Sequence, residues 1–389
     1  MSDHRVHETE INLNNGARIG HLTLDNPAAL NALRLDMVAA IQSAVERWEA
    51  REDVVAILID ADSDKAFCAG GDIVNLYRSA IGDADPDYPR RFFTREYRLC
   101  HDLHRLTTPC IAWGHGVVMG GGMGVFSGAS HRVVTETTRL AMPEVKIGLF
   151  PDCAATWFFN RLPRYLARFI ALTGVTLNAA DGLFAGLADH AIPHAAKAEV
   201  IDALAATEDW SNPQATVAEV LGGIERGRPA ATAGGARLAA HIDTIRKAAA
   251  GPDLATIVQR LSALAEAGDA WLAEAGASLA AGCPVTVHLI HRQLEVGCFF
   301  SLAEAVRTEF AMALQCCARP DLAEGVRALL IDKDRQPRWQ FASVADVPTE
   351  YVDAHFEPPW AGPHPLEDLG PVDVSCKSVP SAVLRQDEA

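Results

Sequence analysis

Two glycine clusters and one acid-bearing segment carry most of the chemistry this sequence can support. The first cluster is Ala66-Phe67-Cys68-Ala69-Gly70-Gly71-Asp72-Ile73, and the second is Met119-Gly120-Gly121-Gly122-Met123-Gly124. Each follows a predicted strand and opens a predicted helix. Glycine lets backbone approach a ligand closely, and the first turn of a helix leaves N–H groups without intrahelical acceptors. A pair of such turns can aim two N–H donors at one carbonyl oxygen, which is an oxyanion hole. Taken singly, either cluster is as well explained by tight packing. The third segment, Ala141-Met142-Pro143-Glu144-Val145-Lys146-Ile147-Gly148-Leu149-Phe150-Pro151-Asp152, sets two acids among apolar residues and prolines. An acid in such a setting costs desolvation unless it is partnered, and its pKa moves upward, which suits a general base or a nucleophile. The plainer reading of Asp152, directly after Pro151, is a helix N-cap.

The motifs of several other chemistries are missing. There is no GxSxG nucleophile elbow, no HExxH and no Walker loop. Gly114-His115-Gly116 with Gly120 spaces as GxGxxxG, and no acid closes a following strand at the distance a dinucleotide fold requires. The 14 histidines show no metal-ligand spacing; His288 and His291 sit three apart with no carboxylate partner in view. The nine cysteines are scattered without a CxxC pair, which reads as reduced thiols in a cytoplasm. Neither a metal nor a separate cofactor is expected.

The elements that must position these groups follow from hydrophobic periodicity. Ile11 and Leu13, then Ile19, His21 and Thr23, flank an Asn15-Gly16 turn and predict a hairpin. Val38, Ile41, Val45 and Trp48 recur at helical spacing, with Asp36 as the expected N-cap. Val54–Ile59, Cys110–Trp113 and His131–Val134 are strands, and the alternation implies an α/β fold of stacked ββα or βα units with helices outside. Beyond about residue 205 the chain turns rich in Ala, Leu and Glu at helical period. Ser301 with Glu304 forms a capping box for a helix over 302–317, and Gly222–Gly235 is expected as a loop. Three regions result: a core over 1–205, a helical region over 206–345 and an irregular tail over 346–389, loose beyond about 362.

At 389 residues and 49% hydrophobic, the chain can bury a sizeable core. Its charge of −16 argues against nucleic acid, which a basic face would bind. No apolar run of about 18 residues predicts a membrane span, and the N-terminus has no apolar signal core.

Together these residues carry a family resemblance. Asn31-Ala32-Leu33, Ala66–Asp72, Gly120-Gly121-Gly122 and Met142-Pro143-Glu144 resemble the crotonase (enoyl-CoA hydratase/isomerase) superfamily. Phe92-Phe93-Thr94-Arg95-Glu96-Tyr97, Gly148–Asp152, Leu172-Thr173-Gly174 and Glu324–Asp334, with Pro337 and Trp339, are similar to its 3-hydroxyisobutyryl-CoA hydrolase branch. The resemblance runs over residues 10–345 and is weakest over 205–280. It implies a spiral of ββα units followed by helices, and an acyl-CoA thioester as ligand, so that coenzyme A arrives as part of the substrate. Gly71 and Gly121 would supply the oxyanion-hole N–H groups, within turns that include Ala69, Gly70 and Gly120. Family hydratases use two glutamates; one matches Glu144, and the other falls at Gly124, which has no side chain.

The resemblance therefore implies hydrolysis of a short branched hydroxyacyl-CoA, of the kind formed in valine breakdown. Glu144 would either attack the thioester carbonyl or activate a water, and both routes stay open. Asp152 would bind the substrate hydroxyl or help protonate the leaving thiolate. Glu96 would line the acyl pocket, with a solvated helix residue as the alternative. Backbone groups of Asn31, Ala32 and Leu33 would line the adenine site. Lys333 and Arg335 would meet CoA phosphates, or else form a solvated charge run. One departure stands out: Cys153-Ala154-Ala155 replaces the branch's Val-Gly-Gly-like step. Alanine resists positive φ, so the acyl pocket is expected to differ in shape. Cys153 has no neighbouring histidine in sequence and reads as packing. The competing readings are a hydratase or isomerase of the same fold, and a CoA-binding protein without turnover. Family relatives often assemble as trimers, so a homo-oligomer is compatible with the sequence, and the helical region could also cover that surface.

Overall fold

The computed structural model describes residues 5–226, 228–232 and 234–370. Strands β1 (Val6–Asn12) and β2 (Arg18–Leu24) form the expected hairpin, with Ile11 opposite Ile19. Helix α1 (Leu35–Glu49) buries Val38, Ile41, Val45 and Trp48 on one face. Its N-cap is Arg34 rather than the expected Asp36, whose carboxylate lies inside the first turn and accepts from the Arg34 guanidinium and Met37 N–H. The Leu33 N–H is tied to the Gly70 carbonyl at 2.8 Å, and the helix starts directly after that tie.

Three strand pairs follow. β3 (Val54–Ala61) and β4 (Ala66–Cys68) lead into α2 (Ile73–Ala80) and α3 (Tyr88–Arg105). β5 (Cys110–Gly114) and β6 (Val117–Met119) lead into α4 (Gly121–Gly128). β7 (His131–Val134) and β8 (Arg139–Ala141) lead into a 3₁₀ turn, Glu144–Lys146. The first strand of each pair joins a six-stranded sheet of order β1-β2-β3-β5-β7-β9, where β9 is His190–Ala191. The second strand joins a three-stranded sheet of order β4-β6-β8. Every pairing except β1–β2 is parallel, so equivalent strands of successive units lie side by side and the chain winds as a spiral of ββα units.

Four helices follow the spiral: α5 (Ala155–Phe159), α6 (Arg164–Thr173), α7 (Ala179–Phe184) and α8 (Lys197–Ala206). The next, α9 (Pro213–Arg226), packs with α8 against one face of the large sheet, over Leu58, Ile111, Trp113 and Val133. Ile57, Ile59, Ala112 and Val134 belong to the core on the other face. Burial on both faces is what the continuous apolar strands encode. The loop expected over Gly222–Gly235 starts later, because Gly222 and Gly223 sit inside α9. Buried Val217 and Leu221 anchor that helix and outweigh a glycine cost of about 1 kcal/mol each.

The remaining helices are α10 (Arg237–Ala240), α11 (Ile242–Ala249), α12 (Leu254–Ser262), α13 (Ala270–Ala281), α14 (Pro284–Val296), α15 (Leu302–Cys317), α16 (Pro320–Val326) and α17 (Thr349–Asp353). The expected capping box opens α15: Glu304 N–H donates to Ser301 Oγ at 3.2 Å, and Ser301 N–H to Glu304 Oε2 at 2.7 Å. On α14, His291 does have a carboxylate neighbour, Glu295, at 3.5 Å and one turn on. The chain after residue 362 is not loose as far as 370. Leu366 and Leu369 are buried, the Arg307 guanidinium donates to the carbonyls of Leu366, Glu367 and Leu369, and Arg98 pairs with Asp368 at 2.7 Å. The rest of the expected tail, 371–389, lies outside the described residues. Among the described residues no helix is long and apolar enough to cross a membrane.

Candidate active site

The two glycine turns meet. Gly70 (φ 130°) and Gly71 link β4 to α2, whose N-cap Asp72 accepts from Asn75 N–H at 3.2 Å. Gly120 (φ 51°) caps α4, and Gly121 is that helix's first residue, where the N–H has no intrahelical acceptor. A Cβ on Gly121 would stand 3.2 Å from Gly71 N, and one on Gly120 would stand 3.4 Å from Gly70 Cα. The neighbouring strands β4 and β6 of the small sheet set this approach.

Two acids reach the pair, and a third, Asp152, lies beside Glu96. Glu96, buried on α3, places Oε1 against both turns: a Cβ on Gly71 would be 3.1 Å from it, and one on Gly121 only 2.4 Å. Glu144, at the first position of its 3₁₀ turn, places Oε1 3.2 Å from where Gly120 would carry a Cβ. Asp152 accepts a hydrogen bond from the Tyr97 hydroxyl at 2.7 Å. All three are at most 4% exposed, and Glu96 Oε1 and Glu144 Oε2 have no hydrogen-bond partner.

So many carboxyls in one dry pocket cannot all ionise. Burial, reinforced by the Asp152 charge, pushes the Glu96 and Glu144 carboxyls well above the ordinary range. Burial also raises Asp152, to about 6, against the pull of the Tyr97 hydroxyl. The three carboxyls titrate as one coupled set that keeps protons above the ordinary carboxylate range. Cys153 shares the pocket, with Sγ and the carboxyl oxygens of Glu96 and Asp152 all within 4.8 Å of one another. Burial raises its thiol far above the usual value, which disfavours the thiolate that nucleophilic attack or metal binding needs.

The turn after Asp152 is held in an unusual shape. Cys153 (φ 57°) and Ala154 (φ 71°) both adopt the left-handed conformation, at a cost on the order of 1–3 kcal/mol each for residues with a Cβ. The backbone thus keeps the form a glycine step would take. Asp152 is no cap, since the N-cap of α5 is Ala154. Instead Glu309, fully buried on α15, accepts N–H from Ala154 at 2.8 Å and Thr156 at 2.7 Å. Gln293 on α14 donates to the Pro151 carbonyl and Thr156 Oγ1, both at 2.7 Å. Burial lifts Glu309 to about 8 despite the two N–H donors.

Gly124 lies on α4 beneath this turn. A Cβ there would meet Cys153 Cβ at 2.5 Å and Cys100 Sγ at 2.7 Å, so the position leaves no room for a carboxylate.

The structure brings Glu96, Glu144, Asp152, Gly71 and Gly121 into one pocket, edged by Ala69, Gly70 and Gly120. The loop of Asn31, Ala32 and Leu33 borders it, tied in by Leu33 to Gly70 and by Ala69 N–H to the Leu30 carbonyl. The N–H groups of all three are already engaged, with Asn26, Ala29 and Gly70 carbonyls, and the Asn31 side chain bonds Asn26 N–H and the Ala66 carbonyl. That loop offers a ligand shape rather than free N–H donors. Lys333 and Arg335 stand exposed on left-handed backbone beyond a π-turn, Arg327–Ile331, with no contact to the acids. Next to the glycine turns, starting at Asp72, runs a groove of about 730 Å³ lined by Arg34, Tyr88, Arg90, Arg91 and Arg95. Arg90 and Arg95 have no acidic partner among the described residues.

Tyr97, Gln293 and Glu309 are site-shaping residues that sequence reasoning passed over. The available signal for Glu309 was an acid on the buried face of α15, between Val306, Phe310 and Ala313.

Residues 19–356 match the model of the enoyl-CoA hydratase/isomerase family. The chain is 33% identical to the mitochondrial 3-hydroxyisobutyryl-CoA hydrolase of Xenopus tropicalis, over 92% of this chain and 91% of that one. It is 32% identical to the human protein of the same name, with the same coverage. Among solved structures, a carnitinyl-CoA dehydratase from Mycobacterium thermoresistibile superimposes with a TM-score of 0.79 at 32% identity, covering 92% of this chain and 97% of that one. An enoyl-CoA hydratase from Rhodobacter sphaeroides 2.4.1 does so with a TM-score of 0.76 at 32% identity, covering 90% and 97%.

Proposed function

This chain belongs to the enoyl-CoA hydratase/isomerase family of CoA-thioester enzymes, and we propose that within it the protein is an acyl-CoA thioester hydrolase acting on a short branched hydroxyacyl group such as 3-hydroxyisobutyryl. The observation that carries this reading is the packing at Gly124. Addition of water across a double bond uses two carboxylates, and the family's second one has no space there. Glu144 instead places Oε1 3.2 Å from where a Cβ on Gly120 would stand, and Asp152 lies beside Glu96.

The Gly71 and Gly121 N–H groups hold the thioester oxygen as it gains negative charge. Glu144, once ionised, attacks the carbonyl carbon to give, on loss of the thiolate, an anhydride that a water then hydrolyses to the free acid and Glu144, or else takes a proton from a water that attacks directly. The C–S bond breaks, and the CoA thiolate leaves as a thiol with a proton from the acid cluster. Asp152, oriented by Tyr97, accepts the substrate's hydroxyl. The arginine groove takes the CoA phosphates, where Arg90 and Arg95 are uncommitted and the guanidinium fork suits phosphate oxygens. The curated relatives are named mitochondrial, whereas the cytoplasmic placement of this chain is read from its cysteine pattern alone.

A hydratase is the second reading, favoured by the names of the solved relatives and by Glu96, a second carboxyl that reaches the pocket from α3. Mass-spectrometric product analysis separates the two. Free acid and CoA from 3-hydroxyisobutyryl-CoA, with crotonyl-CoA left unhydrated, is the expected result. A hydrated thioester without CoA release would assign the protein to the hydratases.

A further inference from the structure

We propose that Glu309 is a positioning residue for the reaction: its carboxyl holds the left-handed Cys153-Ala154 turn in place and through it fixes the direction of the Asp152 carboxyl. The inference rests on the reading of Asp152 as an acid of the hydrolase site.

Cys153 and Ala154 take φ values of 57° and 71°, which side chains with a Cβ resist. Left alone, the segment would relax towards negative φ, and Asp152, the residue before it, would swing with it. Two elements far along the chain oppose this. Glu309 Oε2 and Oε1 accept the N–H groups of Ala154 and Thr156, which bracket Ala155 at the start of α5. Gln293 Nε2 fixes the Pro151 carbonyl on the other side of Asp152. The acid is thus held before and after its own position. Glu309 itself is fully buried on α15, and its two oxygens are committed to these N–H groups, so it does not touch substrate. A carboxyl satisfies two converging N–H donors; an amide satisfies one and turns its own NH₂ against the other.

The experiment compares the wild type, Glu309→Gln, Ala154→Gly and the double variant, with active folded enzyme counted by a tight-binding acyl-CoA analogue. Hydrogen exchange is followed in the peptide spanning residues 149–160. Glu309→Gln should lower kcat by roughly tenfold to a hundredfold, with KM changed by less than about threefold, and should speed exchange in that peptide. Ala154→Gly removes the steric resistance at that residue, so the double variant should regain most of the lost kcat. A purely structural Glu309 would lower thermal stability and leave kcat per folded site unchanged. That result overturns the proposal, and so does a double variant no faster than Glu309→Gln. Should Glu309→Gln not fold, a folded double variant with near wild-type kcat supports the proposal, and an unfolded one overturns it. Wild-type enzyme that releases no CoA from 3-hydroxyisobutyryl-CoA defeats the hydrolase reading instead; the exchange measurement and the kcat series, run on whichever acyl-CoA is turned over, then still decide the role of Glu309.

Discussion

Of the left-handed turns that border the site, those at Gly120 and at Cys153-Ala154 are built in opposite ways. At Gly120 the sequence supplies the one residue type that adopts φ 51° without strain, and a backbone hydrogen bond from its N–H to the Ala141 carbonyl, 3.3 Å, ties it to β8. At Cys153-Ala154 the residue types resist the conformation, and Glu309 and Gln293 impose it from α15 and α14. The contrast shows that a backbone shape required by a site can be written locally or enforced from a distance. The locally written turn carries one of the two N–H donors, Gly121, whose geometry must be right for charge stabilisation. The enforced one carries a side chain.

Substitutions can test each half of that contrast. Glu144, facing the glycine side, should show the largest effect: Glu144→Gln should lower CoA release by more than about 10³-fold, in the range of lost acid–base or nucleophilic function. Acyl-CoA binding by calorimetry should stay nearly intact, and full activity would remove Glu144 from the mechanism. Next comes Gly121→Ala, whose Cβ would crowd Glu96 Oε1 at 2.4 Å and stand 3.2 Å from Gly71 N. A loss of about 10²–10³ in kcat is expected, the usual effect of losing one oxyanion donor. Gly124→Glu tests the packing between the two turns. It should destabilise the fold by about 2 kcal/mol or more in urea titrations and should create no hydratase activity.

A smaller effect concerns pH. Glu96 and Glu144 bind protons more tightly when folded, as do Asp152 (about 6) and Glu309 (about 8). The folded state therefore holds more protons than the unfolded chain between roughly pH 4 and 8, and their stabilising contribution is full below the ordinary carboxylate range. It is lost as pH rises through about 6 and then about 8. Between pH 5 and 8.5 the urea midpoint of the wild type should fall relative to that of Glu96→Gln, and parallel pH profiles would contradict the shared-proton cluster. Burial holds His194, His291, His355 and His364 below the ordinary histidine range, which adds an opposing slope at the acid end that both proteins share. The smallest effect is on Ala154→Gly alone, where relief of the left-handed strain is largely offset by glycine's extra unfolded-state entropy. A change of about 1 kcal/mol or less in unfolding free energy is expected.

How much of this was legible in the sequence follows the same division. The hairpin, the ββα alternation, both glycine turns, Glu144 and Asp152 depend on neighbours within a few residues, and periodicity or a short motif exposes them. The clamp is different. Ala154 and Glu309 are 155 residues apart, and nothing near either one marks the other. Glu96 read equally as a solvated helix residue because its burial is decided by two turns on other elements. The docking of residues 363–370 escaped for a similar reason: Arg307 supplies the hydrogen bonds from the middle of α15. Gly222-Gly223 misled in the other direction, since burial of Val217 and Leu221 overrode a local preference for a loop.

The long sequence gap in the clamp also sets an order of events during synthesis. Chains grow at about 5–20 residues per second, so Glu309 follows Ala154 by about 10–30 s. Over that interval the nascent chain already contains both glycine turns and all three acids, while the turn beside Asp152 lacks Glu309 and, until residue 293 is added, Gln293 as well. The catalytic half can collapse early, but it matures only when α15 arrives. A chain cut short before residue 309 would therefore keep every reacting group and still lack a finished site.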